Sequence, residues 1–545
     1  MADAKYDVVL IGGGNKGLAL AMYLAKYGGM KVGIFERRHE LGGGWGSAEL
    51  PLPGFLHDTY SSAHVGDYYH GPLWEDFPDW EEKGAKYIAP TVAKGCIFKE
   101  DHSCLIVYNE KADPNQERTA REIARFSERD AETWLHWWKL WKEVIEPEYM
   151  KYLWNPAPPL GTPTHLDNVL ANPKVAIDPI WKLYPGEQFF DDCFDSPEIK
   201  NYCLKVMRGH SGQAPDYPTG GVLLFLTSFE FTKYGFIKGG GHQLAHASIK
   251  IIAENGGEFF THSEVDKVII ENGKAKGIRL ADGTEVEATK AVVSGLDPAT
   301  LCFRLIGEEY LSDKICRRVR SLVHNVGTLC WNGWAVHEKA NWIANDWNPD
   351  ISEAFSVNLI NKDMKQISRE YAWRRLGKFP PPEDTPTLFI CQSMFDDTRA
   401  PEGKHKYTSE TFVIPAYAIS EREWLEYKKQ KPIVEQAIWQ EYAPNMTWDN
   451  IIDCYIHSPY DTLQLANFAP SGSDMIIDAL PHQVGSCRPI PELAQHRTPI
   501  KNLYATGSAW PPRGCAASWQ GYNCYKIMAD DYGLRKPWEE KGRPY

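Results

Sequence analysis

Gly12-Gly13-Gly14-Asn15-Lys16-Gly17 has the spacing G-x-G-x-x-G, and the chemistry that spacing allows is the gripping of a dinucleotide's diphosphate. Gly12 permits a tight turn. Gly14 lets the backbone approach the phosphates with no Cβ in the way, and Gly17 lets a helix pack closely on a strand. A helix starting at Asn15 would aim unpaired N–H groups and a partial positive charge at the anion. Further on, Glu36 can accept hydrogen bonds from both hydroxyls of a ribose, and its charge would repel a 2′-phosphate.

The flanking residues supply the elements such a site needs. Val8, Val9, Leu10 and Ile11 form a continuous apolar run, the pattern of a strand buried on both faces. Leu18, Ala21, Met22 and Leu24 recur at helical spacing, and a second apolar strand, Lys31 to Phe35, ends at Glu36. A glycine-rich turn alone could be a turn without a ligand. Strand, turn, helix, strand and acid together form a dinucleotide-binding unit. Only one such fingerprint is present, which argues against a separate NAD(P)H-binding domain.

After Glu36 comes Arg37-Arg38-His39-Glu40-Leu41-Gly42-Gly43-Gly44. Here the chain resembles the FAD-binding oxidoreductases of the glutathione-reductase type, in which an acid at the strand end is followed by a glycine pair near the pyrophosphate and flavin. The resemblance implies FAD rather than NAD, with Gly43 and Gly44 beside the cofactor. Arg37 or Arg38 could lie along the adenosine or phosphates, or form a solvated surface pair. Farther along, Phe236-Ile237-Lys238-Gly239-Gly240-Gly241-His242 precedes a helix predicted over 243–254. Strands follow at 265–270, 275–280 and 285–288, with Asn272-Gly273 and Asp282-Gly283 as hairpin turns, and a further buried strand is predicted over 291–295.

The C-terminal region carries the most specific likeness. Asn502-Leu503-Tyr504-x-x-Gly507, with Arg488-Pro489 upstream, resembles the phytoene desaturase family with its carotenoid-isomerase and retinol-saturase relatives; Pro53-Gly54-Phe55-x-His57-Asp58 is similar to bacterial members of that superfamily. The resemblance implies an α/β fold with a Rossmann-type FAD-binding domain and an interleaved α+β substrate domain. It implies a backbone contact from Val265 to the adenine and contacts from Gly507 and Ser508 to the cofactor, although Val265 alone could be a core valine. Cys515 to Ala529 is predicted as a helix. Where carotenoid desaturases have a run of glycines after the C-terminal strand, this chain has Pro511-Pro512-Arg513-Gly514, which points away from a long carotenoid and toward a smaller terpene or other apolar molecule.

The implied reaction is dehydrogenation or desaturation of an apolar, isoprenoid-type substrate, with hydride transfer to flavin N5 and loss of a proton from a neighbouring atom. Arg513 is expected near the flavin edge, where its charge could stabilise the reduced ring. Asp58 and His210, with His57, His64 and His242, are candidate proton acceptors, since carboxylate and imidazole titrate usefully; Asp58 could instead contact the cofactor. A flavin amine oxidase and a non-catalytic FAD-binding partner protein are the alternatives. The electron acceptor, whether quinone, oxygen or a protein, is left open.

Length and composition set the frame. The 545 residues exceed what one core usually serves, and we expect 1–60, 236–300 and 486–545 to form the FAD-binding domain and 61–235 and 301–485 the substrate domain. A net charge of −13 without basic runs argues against a nucleic-acid partner and against broad attraction to anionic lipid. Peripheral membrane contact through an apolar patch, and homo- or hetero-oligomers, stay open. Twelve scattered cysteines without a C-x-x-C pair suggest reduced thiols in a cytoplasmic protein and no metal site. Trp134, Trp137, Trp138 and Trp141 share one helix face, as a pocket or membrane wall or as core packing.

Overall fold

The computed structural model describes residues 4–211, 215–218, 229–324 and 327–545; the side chains of 207–211 lie outside the description. The apolar N-terminal run forms strand β1 (Ala4–Ile11), the glycine turn leads into helix α1 (Asn15–Lys26), and the chain returns as strand β2 (Val32–Phe35). The two strands pair in parallel, Val8 opposite Val32 and Ile11 opposite Phe35. Leu18 to Leu24 of α1 are fully buried, and Gly17 is needed where the helix crosses β1: a Cβ there would stand 3.0 Å from the Gly12 carbonyl oxygen.

This unit sits inside a seven-stranded sheet with the order 265–271, 274–280, 285–294, β1, β2, 258–260; strand Leu503–Ala505 pairs in parallel with the far end of strand Glu285–Ser294. The meander forms as its turns predict, with Asn272 and Gly273 both at positive φ (50° and 71°). Two elements differ from expectation. The strands predicted at 285–288 and 291–295 are one continuous strand, Glu285–Ser294, which pairs antiparallel with the meander at one end and in parallel with β1 along its length. The C-terminal helix begins at Trp519 rather than Cys515. The carbonyls of Ala516 and Ala517 are taken by the Asn15 and Trp45 side chains, and that of Arg513 by Gln520 Nε2, so they are not free to start a helix. The short edge strand Glu258–Phe260, parallel to β2, has no counterpart in the pattern-based reading.

A second seven-stranded sheet, mostly antiparallel, is assembled from remote segments in the order 451–455, 329–336, 405–412, 387–390, 354–360, 92–98, 104–108. Trp134, Trp137, Trp138 and Trp141 lie in the same apolar cluster as α1, buried to 6 % exposure or less; they pack the core and line neither of the cavities described below. Among the described residues, no helix is long and apolar enough to cross a membrane.

Candidate active site

A cleft opens at the carboxyl ends of the strands of the first sheet, where ligands of open α/β folds bind. Its floor is the glycine turn: Gly12 at φ +88°, then Gly14, whose missing Cβ would project into open space. No side chain caps α1 and its first turn has no acid, so its leading N–H groups face the cleft without a competing anion. Gly42 N donates to Gly13 O (2.8 Å), which lays the second glycine cluster on the first; at Gly43 (φ +52°) a Cβ would meet Gly14 Cα at 3.0 Å. Glu36 is held at the end of β2 by two backbone donors, Gly13 N (2.8 Å) and Arg38 N (2.9 Å), and its carboxylate lines the cleft.

The structure brings Gly12, Gly14, Asn15, Gly17, Glu36, Arg37, Gly43, Gly44, Val265, Gly507 and Ser508 together around this one cleft. It adds residues that the sequence did not single out. Arg304 contacts the Val265 carbonyl and pairs with Glu264, and Asn467 and Phe468 approach from far along the chain. Arg38 Nη1 is buried without a hydrogen-bond partner. Lys16 is buried against the cleft, donates to the Cys515 carbonyl, and is pushed down to about 8 by burial. Arg488 gathers the carbonyls of Met475 (2.8 Å), Gln483 (2.9 Å) and Ser508 (2.7 Å), and so fixes the loop after the last strand to the segment around Met475.

Beyond that segment lies a second cavity. Ile476 lines the first cavity, whereas Asp474 and Met475 line the second, so the two meet there. The chamber walls are aromatic, from Tyr60, Tyr69, Tyr234 and Trp331, and its two acids are Glu410 and Asp474. Glu410 lies directly opposite Trp331 across two strands of the second sheet. Burial raises Glu410 to about 7 and Asp474 to about 6.

The candidate proton acceptors and Arg513 are placed elsewhere. Asp58 lies in a buried network with Arg399 (2.9 Å), Gln392 (2.7 Å), Ser47 (2.6 Å) and Gly241 N (2.8 Å); although burial opposes ionisation, Arg399 beside it holds its carboxyl well below the usual range. His64 Nδ1 meets His70 Nε2 at 3.1 Å, and burial pushes His64 down to about 4; His57 is likewise held well below its ordinary value. The His242 ring is half-buried beside that of His246. Asp58, His57, His64 and His242 line neither cavity. The Arg513 guanidinium is committed to a buried pair with Glu230 (2.6 Å) and to Tyr149 Oη (3.1 Å), and it too lines neither. His210 falls in the helix Pro197–Ser211, but its side chain lies outside the described residues.

Residues 10–79 match the NAD(P)-binding Rossmann-like domain. Over 568 residues the chain is 26% identical to a subunit of the limonene dehydrogenase of Castellaniella defragrans, covering 99% of this chain and 97% of that one. These likenesses support a place in the FAD oxidoreductase superfamily. It is 26% identical over 302 residues to a 4,4′-diapophytoene desaturase of a Methylomonas species, covering 54% of each. Its fold is that of a putrescine oxidase variant from a redesign of cofactor binding (TM-score 0.58, 12% identity, 97% and 98% covered). The cleft fits FAD on its own geometry: Gly14 opens onto free space, the tip of α1 is uncapped and Nη1 of Arg38 has no hydrogen-bond partner, a setting suited to an anionic dinucleotide.

Proposed function

We propose that this oxidoreductase dehydrogenates a small isoprenoid of about monoterpene size, held in the aromatic chamber against FAD in the glycine-floored cleft. The observation that carries the reading is the junction of the two cavities at residues 474–476, which sets a space walled by four aromatic rings and two buried acids beside the dinucleotide cleft. The likeness to a limonene dehydrogenase supports that substrate class. That relative is one subunit of its enzyme, which supports assembly of this chain with another that passes electrons onward. Segments 1–60, 236–300 and 486–545 would serve the cofactor, and 61–235 and 301–485 the substrate.

When bound, FAD supplies the hydride acceptor. The chain's own part is placement and electrostatics. Glu36 would hold the adenosine ribose, Val265 the adenine, and Gly43, Gly44, Gly507 and Ser508 would border the diphosphate and ring with main chain, leaving no side chain in the way. Tyr60, Tyr69, Tyr234 and Trp331 would orient the substrate by apolar contact and exclude water. The test is anaerobic addition of monoterpenes and of primary amines to the purified flavoprotein. Monoterpenes should bleach the flavin band; bleaching by amines alone would defeat this reading in favour of amine oxidation.

A further inference from the structure

The described walls of the chamber offer two groups that can take a proton, and they are not those the sequence suggested. Glu410 stands on strand His405–Phe412 with its side chain on the sheet face that also presents Leu329, Trp331 and Phe412. It lines the aromatic chamber on one side. On the other it lines a small separate cavity whose walls include Lys94, Lys205, Asn358 and Leu388. Glu410 is thus shared between the aromatic-walled chamber and a cationic space. Asp474 has a different setting: it faces Lys16 beside the cofactor cleft, and its Oδ1 is buried without a hydrogen-bond partner. The buried histidines and Asp58 line neither space and are held far from a useful range.

We propose that Glu410 is the proton acceptor of the dehydrogenation, standing in the wall between the aromatic chamber and the lysine-lined cavity through which the proton then leaves. The inference rests on the substrate reading above. In the balanced step, a carbon–hydrogen bond of the substrate breaks and its electron pair leaves with hydrogen as hydride to the oxidant, FAD. The neighbouring atom gives its proton to a Glu410 carboxylate oxygen, and the electrons of that second bond become the new double bond. Glu410 ends neutral, and return of its proton toward Lys94 resets it.

The environment suits that task. An acceptor works best when its pKa lies near the working pH. Burial raises Glu410 to about 7, offset by the cations Lys94 and Lys205, with Asp474 raising it further. Lys94 is itself pushed down to about 7 by burial, and its ammonium lies 3.8 Å from the centroid of the Tyr234 ring. Tyr234 and Lys406 also interact electrostatically with Glu410. Because the acceptor must be ionised, anaerobic flavin reduction by a terpene should quicken as pH rises through about 7 and then level off.

Glu410→Gln keeps the shape and removes the acceptor. With FAD fully bound, it should slow reduction by about 100-fold or more and abolish the pH step. Infrared spectroscopy of the protein without substrate provides an independent readout: a protonated-carboxyl band that titrates near pH 7 should vanish in Glu410→Gln and persist in Asp474→Asn. Where Glu410→Gln does not fold, Lys94→Met should move that titration upward by removing a neighbouring cation. Reduction of Glu410→Gln at the wild-type rate with an unchanged pH profile would overturn the proposal, as would a band that survives Glu410→Gln or is unmoved by Lys94→Met. If no terpene bleaches the wild-type protein, the substrate reading fails, while the titrating band still identifies the chamber's base.

Discussion

The cofactor cleft and the substrate chamber are built in opposite ways. The cleft's phosphate-facing floor is made chiefly of backbone, with glycines at positive φ, an uncapped helix tip and one acid held by two N–H groups, all within the first 44 residues. The chamber is made of side chains from segments scattered between Tyr60 and Ala516, converging through the pairing of a remote sheet. The contrast teaches that a site specified by local conformation can be read from a short motif, whereas one specified by convergence can be read only after folding.

The largest separation of the two regions should come from Gly14→Val. Its side chain would point into open space, so the fold should survive with an unchanged Tm, yet flavin affinity should fall by about 100-fold or more because the bulk occupies the diphosphate's place. Flavin-to-protein absorbance ratios and thermal melts check both halves. A variant that keeps full flavin would break the comparison.

Arg513→Met probes the core rather than either cavity. Removing one partner of a buried ion pair typically costs about 3–5 kcal/mol, so denaturant unfolding should show a large loss of stability while the folded fraction keeps its flavin content and reduction rate. A changed flavin potential with unchanged stability would instead return Arg513 to the flavin edge, as the sequence suggested.

Acid should act through the buried imidazoles. His64 is held at about 4 and an unfolded histidine titrates near 6.5, so between those values the unfolded chain binds the extra proton. Stability is therefore full above about 6.5 and declines as pH falls toward 4. Thermal melts from pH 7 to pH 4.5 should show the decline, and His64→Gln should make it shallower; a flat profile would remove this account. The smallest effect belongs to Arg37→Ala, an exposed residue at the cleft whose loss should weaken flavin binding only a few-fold in a titration.

The legible and illegible parts follow the same contrast. Gly12, Gly14, Gly17 and Glu36 could be read because a turn, a close approach and a strand end fix their roles locally. The meander was marked by Asn272-Gly273. The late start of the C-terminal helix could not be read, since Asn15 and Trp45, hundreds of residues away, take the carbonyls that would begin it. Asp58 resembled a functional acid, but Arg399 occupies it. Glu410 left a faint trace: a lone acid on the inward-facing side of the strand His405–Phe412, much as Lys94 interrupts the apolar strand Val92–Phe98. A charge on the buried face of a strand is expensive unless partnered or used, and that signal could have drawn attention to both.

The central claim is that the substrate meets FAD in the chamber walled by Tyr60, Tyr69, Tyr234 and Trp331. Its most direct test is the rate at which a monoterpene bleaches the flavin of Ala63→Leu, which adds bulk to the chamber wall and leaves the cofactor cleft untouched. The account predicts full flavin content with bleaching at least about tenfold slower than in the wild type. Bleaching at the wild-type rate would place the reaction somewhere other than this chamber.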